Sequence, residues 1–152
     1  MTESAVRQDV PPTVGAASPG VSSRERHGAE VMRSLGIDPE AVVAGVAPLD
    51  ERFGHTIVEY VFGEIVGRPE LDLRTRQLAT LAVLVTLGGC EPQLELHLKA
   101  TLRAGADRTE IIALLTHVAA YAGVPRVMNA LNTAKRVLPP AAAEEAAGEI
   151  GP

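Results

Sequence analysis

The chain of 152 residues is 46% hydrophobic and 22% charged, with a formal net charge of -5, which fits a single domain with a hydrophobic core. Its acidic and basic residues are mixed and form no basic stripe, so nucleic acid is not a favoured partner. Its single cysteine excludes an internal disulfide and the metal sites built on paired cysteines.

Both ends of the chain lack helical periodicity. Residues 1–21 are rich in Pro, Ser, Gly and Val, and residues 139–152 continue from two prolines into small and acidic residues. We expect two flexible tails around a single domain at 22–138. The start of the chain lacks the pattern of a secretory signal, and no apolar stretch reaches the roughly 20 residues of a membrane span. The sequence therefore predicts a cytoplasmic protein without a membrane partner.

Two helix starts are encoded near the beginning of the domain. Ser22 followed by Glu25 has the spacing of a capping box, and Gly36 is placed to end the helix that follows. Asp38 before Pro39 supplies a second N-cap with proline at the first helical position. These residues predict two successive helices with a short link.

A longer helix is predicted over 49–66, because apolar residues recur there every four positions. The recurring residues are Phe53, Ile57, Val61 and Ile65. The Gly-Arg-Pro sequence at 67–69 interrupts this pattern, so we expect the helix to end there.

The second half of the chain predicts four helices. Asp72 is placed to cap the first of them, Gly88 to end it, and Asp107 with Glu110 repeats the capping-box spacing. The predicted helices run over about 72–87, 91–104, 107–122 and 124–138. Because no segment alternates like a strand, the fold class is all-α, a compact bundle of five to seven helices. Aromatic residues are only 3% of the chain, and its small apolar side chains favour subunit contacts between helices.

The helix near 91–104 has two chemically different faces. At 100° per residue, one arc carries Cys90, Gln93, Leu94, His97 and Thr101, and the other carries Glu91, Glu95, Lys99 and Arg103. An imidazole relays protons near neutral pH, and a thiol at a helix N-terminus has a favoured thiolate. The alternative is that Cys90 is a small apolar filler and His97 a hydrogen-bonded core residue. For the charged arc, a solvated surface is the favoured interpretation.

Residues 60–138 resemble a carboxymuconolactone decarboxylase-family domain. Three motifs carry the resemblance: RP-x-L-x-x-x-TR at 68–76, GGCEPQL at 88–94 with His97 after it, and YAGVPRVMNAL at 121–131. The resemblance implies an all-α fold like that of the alkyl hydroperoxidase accessory proteins, assembled as trimers or hexamers. That fold agrees with the helices predicted independently above.

The resemblance also implies a chemistry without cofactor or metal. The name-giving enzyme of the family decarboxylates a γ-lactone acid, which requires a cation for the carboxylate, a donor for the developing enolate and an acid that returns a proton to carbon. Here Arg76 is the candidate cation and His97 the candidate acid. Cys90 would then orient or tune the histidine.

The redox branch of the family carries a Cys-x-x-Cys pair followed by a histidine. Cys90 matches the first cysteine and His97 the histidine, but Gln93 stands where the second cysteine is expected. Without a resolving thiol, a disulfide cycle within one subunit cannot run. The decarboxylase itself has a glutamate where Gln93 aligns, so this chain departs from both branches.

Four further residues are candidate substrate ligands. His117 and Tyr121 are four apart on one predicted helix, so their rings can meet, although a packed tyrosine beside a subunit-contact histidine is the alternative. The family motif places Arg126 and Asn129 near the cavity, and the alternative is that they are solvated or capping groups. His27 and His55 are expected to face solvent. At least one of Arg74 and Arg76 is expected to bind a ligand or an acidic partner, and the alternative is a salt bridge to Glu70 or Asp72.

The favoured function is a cofactor-independent lyase or isomerase acting on a small lactone, enol or cyclic keto acid. A thiol-dependent peroxidase or antioxidant activity through Cys90 is the first alternative. The second is a non-catalytic oligomer that binds a small acid or a partner protein. All three functions are compatible with the predicted fold, and they differ in what His97 and Cys90 contact.

Overall fold

The computed structural model describes residues 20–140, which form helices and connecting turns without a strand. Most of both predicted tails, residues 1–19 and 141–152, lies outside the described residues. The all-α prediction is confirmed. The elements are α1 Ser23–Ser34, α2 Pro39–Thr56, a π-helical segment Ile57–Val66 (the π segment), α3 Leu73–Leu87, α4 Glu91–Arg103, α5 Arg108–Ala122 and α6 Val124–Ala134.

The helices begin at the caps that the sequence predicts. The Ser22 hydroxyl accepts from the backbone N–H of Glu25 at 3.0 Å, and an Asp38 carboxylate oxygen accepts from the N–H groups that follow it. Asp107 and Glu110 form a complete capping box, with side chain and backbone bonded in both directions. These bonds satisfy N–H groups that have no partner inside a helix.

The predicted helix at 49–66 is present but differs in its inner geometry. α2 is interrupted at Asp50 (φ -161°, ψ 99°), whose carboxylate accepts from the Phe53 N–H at 3.2 Å and restarts the helix. From Ile57 the backbone widens into the π segment, which closes with a bond from Gly67 N–H to the Phe62 carbonyl five residues earlier. The sequence pattern predicts helix here but does not distinguish α from π geometry.

The apolar row that recurs every four residues is not the row that is buried. Phe53 is 55% exposed and Val61 39%, whereas Val58 and Phe62, one position later in the same repeat, are 2% and 6% exposed. Adjacent apolar residues offer two parallel rows in this stretch. Contacts made elsewhere in the chain decide which of them faces the core.

A close contact at two glycines, between α1 and the π segment, determines which of the two rows is buried. A Cβ on Gly28 would lie 2.0 Å from the Val58 carbonyl oxygen, and one on Gly63 would lie 2.2 Å from the Arg24 carbonyl oxygen. The two backbones therefore touch at positions where only glycine fits. This contact directs Val58 and Phe62 into a core with residues of α1 and the loop after it, namely Val31, Met32, Leu35 and Ile37.

α6 is shorter than predicted. The prediction that it reaches about Leu138 is wrong, because the helix ends at Ala134 and residues 135–138 form turns. Leu138 precedes Pro139, and a residue before proline avoids helical dihedrals. The chain therefore leaves the helix before the two prolines.

α3, α4, α5 and α6 enclose the second and larger core. Its fully buried side chains include Leu81, Leu98, Ile111 and Leu115. Arg74, at the start of α3, forms an ion pair with Glu110, at the start of α5, so these two helices begin at the same end of the bundle. Among the described residues, none of the helices has the length and hydropathy of a membrane span.

Candidate functional site

α4 carries the two principal candidate residues at different heights. Cys90 is its N-cap, and His97 lies near the middle of the helix. An α-helix rises about 1.5 Å per residue, so the step of seven positions from Cys90 to His97 corresponds to about 10 Å along the axis. Leu94, Leu98 and Thr101 of the same helix are buried, which fixes the side of α4 that faces the bundle.

His97 is held by a side chain of α3. Its Nδ1 lies 2.8 Å from Oε1 of Gln77, and because an amide oxygen only accepts, Nδ1 carries the proton. Nε2 is then the nitrogen that is free to take up or release a proton. Burial lowers the pKa of His97 below its usual 6.5, so the imidazole is neutral at pH 7. The histidine is partly exposed rather than sealed in the core.

Gln77 is a site residue that the sequence interpretation missed. Its side chain is 1% exposed, and it precedes Leu81 and Val85 by four and eight residues in the buried row of α3. A polar side chain in such a row requires a hydrogen-bond partner, and His97 is that partner. The available signal was a polar residue at a position that the helical repeat of α3 assigns to the core.

Cys90 opens into a cavity of about 350 Å³ between the start of α4 and α6. Arg126 and Asn129, both predicted as substrate ligands, line the same cavity, together with Glu91. The Cys90 thiol donates to the Leu84 carbonyl at 3.2 Å. The structure thus brings a thiol, a guanidinium and an amide together at one end of the bundle.

The glycines before Cys90 shape this cavity. Gly88 has a φ of +65°, a left-handed conformation that glycine adopts without strain. A Cβ at Gly88 would lie 2.4 Å from Nη1 of Arg126, and that nitrogen donates to the Leu87 carbonyl. The turn therefore holds the Arg126 side chain against the end of α3.

His97 is not among the residues that line the Cys90 cavity. The thiol and the imidazole therefore do not share that cavity, although both lie on one helical arc. Gln93, which was grouped with them, is exposed. Seven residues bring α4 back to nearly the same side of its axis, but two turns along it, and this axial distance separates the two groups.

Both predicted arginines have partners within the chain. Arg76 donates from Nε to the Leu71 carbonyl at 2.8 Å and from Nη2 to the Arg68 carbonyl at 3.0 Å, which anchors it to the loop before α3. Arg74 pairs with Glu110 rather than with Glu70 or Asp72. Arg76 retains N–H donors beyond the two that are bonded, since a guanidinium has five.

His117 and Tyr121 meet as their spacing predicts. Their ring centroids are 5.1 Å apart at an interplanar angle of 49°. Both side chains are exposed, and Tyr121 is 83% accessible. The pair thus lies on the surface of the chain, beside the C-terminal end of α5.

The remaining polar candidates lie on the surface of the bundle. Glu95 and Lys99 form the expected ion pair at 2.8 Å on the solvated side of α4. His27 and His55 are exposed as predicted, but they contact the Gly67 carbonyl and the Glu25 carboxylate respectively. Within residues 20–140, no group of three or more His, Cys, Asp or Glu side chains is arranged to hold a metal ion.

Comparison with known proteins identifies the family of this chain. The model of the carboxymuconolactone decarboxylase family matches residues 51–136, which include α3 to α6 and the candidate site. The chain belongs to the carboxymuconolactone decarboxylase family. The match begins after the first part of α2, so α1 and residues 39–50 lie outside it.

Three curated relatives are similar over part of their length. A 4-carboxymuconolactone decarboxylase of Acinetobacter baylyi is 36% identical over 88 residues, 58% of this chain and 65% of the relative. An uncharacterized 15.0 kDa protein of Paracoccus denitrificans is 33% identical over 53% of this chain and 61% of the relative. A nitrosuccinic acid decarboxylase of Metarhizium robertsii is 27% identical over 65% of this chain and 68% of the relative. The chain spans less than two thirds of the first two.

Proposed function

We propose that this protein is a cofactor-independent lyase or isomerase that acts by acid/base chemistry on a small lactone, enol or cyclic keto acid, and that the lyase reaction is a decarboxylation. The observation that carries the proposal is the hydrogen bond from His97 to Gln77, which leaves Nε2 of a partly exposed imidazole available for proton transfer. Family membership supports it, as do two relatives named as decarboxylases of small acids.

The proposed reaction needs two steps. The bond between the carboxylate and its neighbouring carbon breaks, carbon dioxide leaves, and the electron pair passes into an adjacent carbonyl as an enolate. The His97 imidazolium, which predominates only below the lowered pKa of this residue, then gives its Nε2 proton to that carbon, and water reprotonates the imidazole. Because burial lowers the pKa of His97, its imidazolium is a stronger acid than a free one and donates more readily.

Arg76 is the proposed cation for the substrate carboxylate. Its bonds to the Leu71 and Arg68 carbonyls hold the guanidinium in place before a ligand arrives, which reduces the entropy lost on binding. The role of Arg126 and Asn129 as substrate ligands stays a prediction, because the cavity that they line does not include His97. Gln93 and the pair of His117 with Tyr121 are exposed, and as substrate ligands they would require a second subunit to cover them.

We also propose that the protein is a homo-oligomer, a trimer or hexamer as the resemblance implies. Large apolar side chains are exposed at the end of the bundle where α3 and α5 finish and α6 begins. These residues are Leu87, Tyr121, Val124 and Met128, each more than half exposed. Exposed apolar residues on neighbouring elements are typical of a surface that contacts another protein. A partner there would also border the Cys90 cavity.

The proposal is tested by measuring carbon dioxide release by the full chain from 4-carboxymuconolactone, nitrosuccinic acid and a cyclic β-keto acid. We expect catalysed release from at least one of them, saturable in substrate and unaffected by chelators. Saturable binding of these acids without release would contradict the lyase and favour the non-catalytic oligomer. The partial exposure of His97 argues against that alternative, which predicts a sealed histidine.

Replacing Gln77 by Glu is expected to raise the pKa of His97. A carboxylate that accepts from Nδ1–H stabilises the imidazolium, whereas the amide stabilises neither charge state strongly. If the imidazolium is the acid, kcat falls with rising pH above the His97 pKa. In the wild type that fall begins below pH 6.5, and in the Gln77→Glu variant it moves to higher pH. The measurements are kcat against pH and an NMR titration of the imidazole.

Gln77→Leu is the matched control for this variant. It removes the acceptor but keeps an apolar side chain that suits the buried row of α3. It should therefore lower kcat without raising the pH at which kcat begins to fall. An unchanged NMR pKa in Gln77→Glu would contradict the assignment of Gln77 as the partner that positions His97.

A thiol-dependent activity through Cys90 is the second candidate. The thiol lies at a helix N-terminus, in a cavity that Arg126 also lines. It donates to the Leu84 carbonyl at 3.2 Å. Alkylation of Cys90 is expected to leave most of the decarboxylase activity. Complete loss of turnover on alkylation, together with peroxide consumption by the untreated protein, would favour the redox function.

A further inference from the structure

A second and larger cavity lies away from the candidate site. It has a volume of about 760 Å³, is open to solvent and is lined by α1, α2 and the start of the π segment. Its apolar wall is formed by Ala29, Pro39, Val43, Ala47 and Val58. Binding sites for small molecules typically have volumes of about 300–1,000 Å³ and mostly apolar linings. All of these residues except Val58 precede the part of the chain that the family model matches.

The positive groups at the mouth of this cavity are already engaged. Arg33 pairs with Glu40 at 2.5 Å, and Arg26 donates to the Val21 carbonyl at 2.5 Å. His55 contacts the Glu25 carboxylate at 2.5 Å. Arg33 and His55 thus contact carboxylates, whereas Arg26 donates one N–H to a neutral carbonyl and keeps its charge and its other donors.

The negative groups at the mouth are in excess. Glu25, Glu30, Glu40 and Glu51 line the cavity, against the two guanidiniums of Arg26 and Arg33. Within the part of the chain that the structure describes, Glu30 and Glu51 have no hydrogen-bond or ion-pair partner. Their carboxylates can accept from a cationic group without breaking a pair formed within residues 20–140.

We propose that this cavity binds an amphipathic organic amine, with its hydrocarbon body against the apolar wall and its ammonium group at Glu30 and Glu51. The apolar wall accounts for the hydrocarbon part, because it removes that surface from water. The two carboxylates account for the charge, because they attract a cation and repel an anion of the same size. This site is separate from the proposed decarboxylase site and does not depend on it.

The probe is n-octylamine, added to the full chain and measured by calorimetry and by amide NMR shifts. We expect saturable binding at one site, with the shift changes grouped at Ala29, Val43 and Ala47. Octanoate has the same chain length and the opposite charge, and we expect it to bind at least about tenfold more weakly. Equal affinity for the two probes would overturn the proposal.

Variants localise the site. Glu30→Gln and Glu51→Gln are each expected to weaken octylamine binding by about two- to fivefold, as for an exposed charge pair. Glu70→Gln is the matched control, because it removes the same charge at an exposed position outside the cavity and should leave the affinity unchanged. Ala44→Trp fills the mouth from an exposed position and should abolish binding while the circular dichroism spectrum stays unchanged.

Three outcomes would reject the site. The first is octylamine binding that survives Ala44→Trp, and the second is binding that Glu70→Gln weakens as much as Glu30→Gln and Glu51→Gln do. The third is the absence of saturable binding, including the case in which a second copy of the chain occupies the cavity. None of these outcomes bears on carbon dioxide release at His97.

Discussion

Replacing His97 by Gln is expected to lower kcat for decarboxylation by about 100- to 10,000-fold, the usual contribution of a positioned acid or base. Glutamine is similar in size and can still donate to the Gln77 side chain, but it cannot carry a proton to carbon. KM should change little, because the imidazole is proposed to act in proton transfer rather than in substrate binding. Steady-state kinetics on the acid that the wild type decarboxylates provide the measurement.

His27→Gln is the matched control for this loss. His27 is exposed and contacts the Gly67 carbonyl at 3.1 Å, far along the chain from the candidate site. Its replacement should leave kcat within about twofold. Retention of wild-type kcat by a folded His97→Gln protein would remove the histidine from the mechanism.

Gly28→Ala is expected to lower the free energy of unfolding by about 3 kcal/mol, at the upper end of the usual cost of overpacking. The added Cβ would lie 2.0 Å from the Val58 carbonyl oxygen and 2.8 Å from the Gly63 nitrogen. Both are backbone atoms, so the clash cannot be relieved by rotating a side chain. α1 would have to move away from the π segment, and Val58 and Phe62 would lose packing. Urea denaturation with a two-state fit measures the change.

Gly45→Ala is the control in the same half of the molecule. Gly45 lies within α2, and a Cβ there would meet no atom within 4 Å. Alanine in a helix interior is favoured over glycine by roughly 0.5–1 kcal/mol, so this variant should be slightly stabilised. Equal destabilisation by the two substitutions would show that the close approach of α1 and the π segment is not what makes Gly28 necessary.

Local signals predicted most of the secondary structure. Ser22, Asp38, Asp72 and Asp107 each cap a helix in the structure, because a short acceptor side chain before an apolar segment satisfies the first N–H groups whatever the tertiary context. The resemblance of residues 60–138 to the carboxymuconolactone decarboxylase family was confirmed by the match of the family model.

Features that depend on distant contacts could not be predicted in the same way. The sequence offers two apolar rows in the π segment, and the buried one is decided by Gly28, more than 25 residues earlier. Gln77 has no sequence motif that links it to His97, because their bond joins two helices. Helical periodicity placed Cys90 and His97 on one arc, but it did not place them in one cavity, since it describes angle around the axis and not height along it.

The origin of the new C–H bond tests the central claim most directly. When the reaction is run in deuterium oxide, His97 should deliver deuterium to one face of the carbon that loses carbon dioxide, so the wild type should give one stereochemical form of the product. The His97→Gln variant should give slower turnover and deuterium on both faces, because water would then supply it. The same rate and the same facial selectivity in His97→Gln would contradict the role of His97.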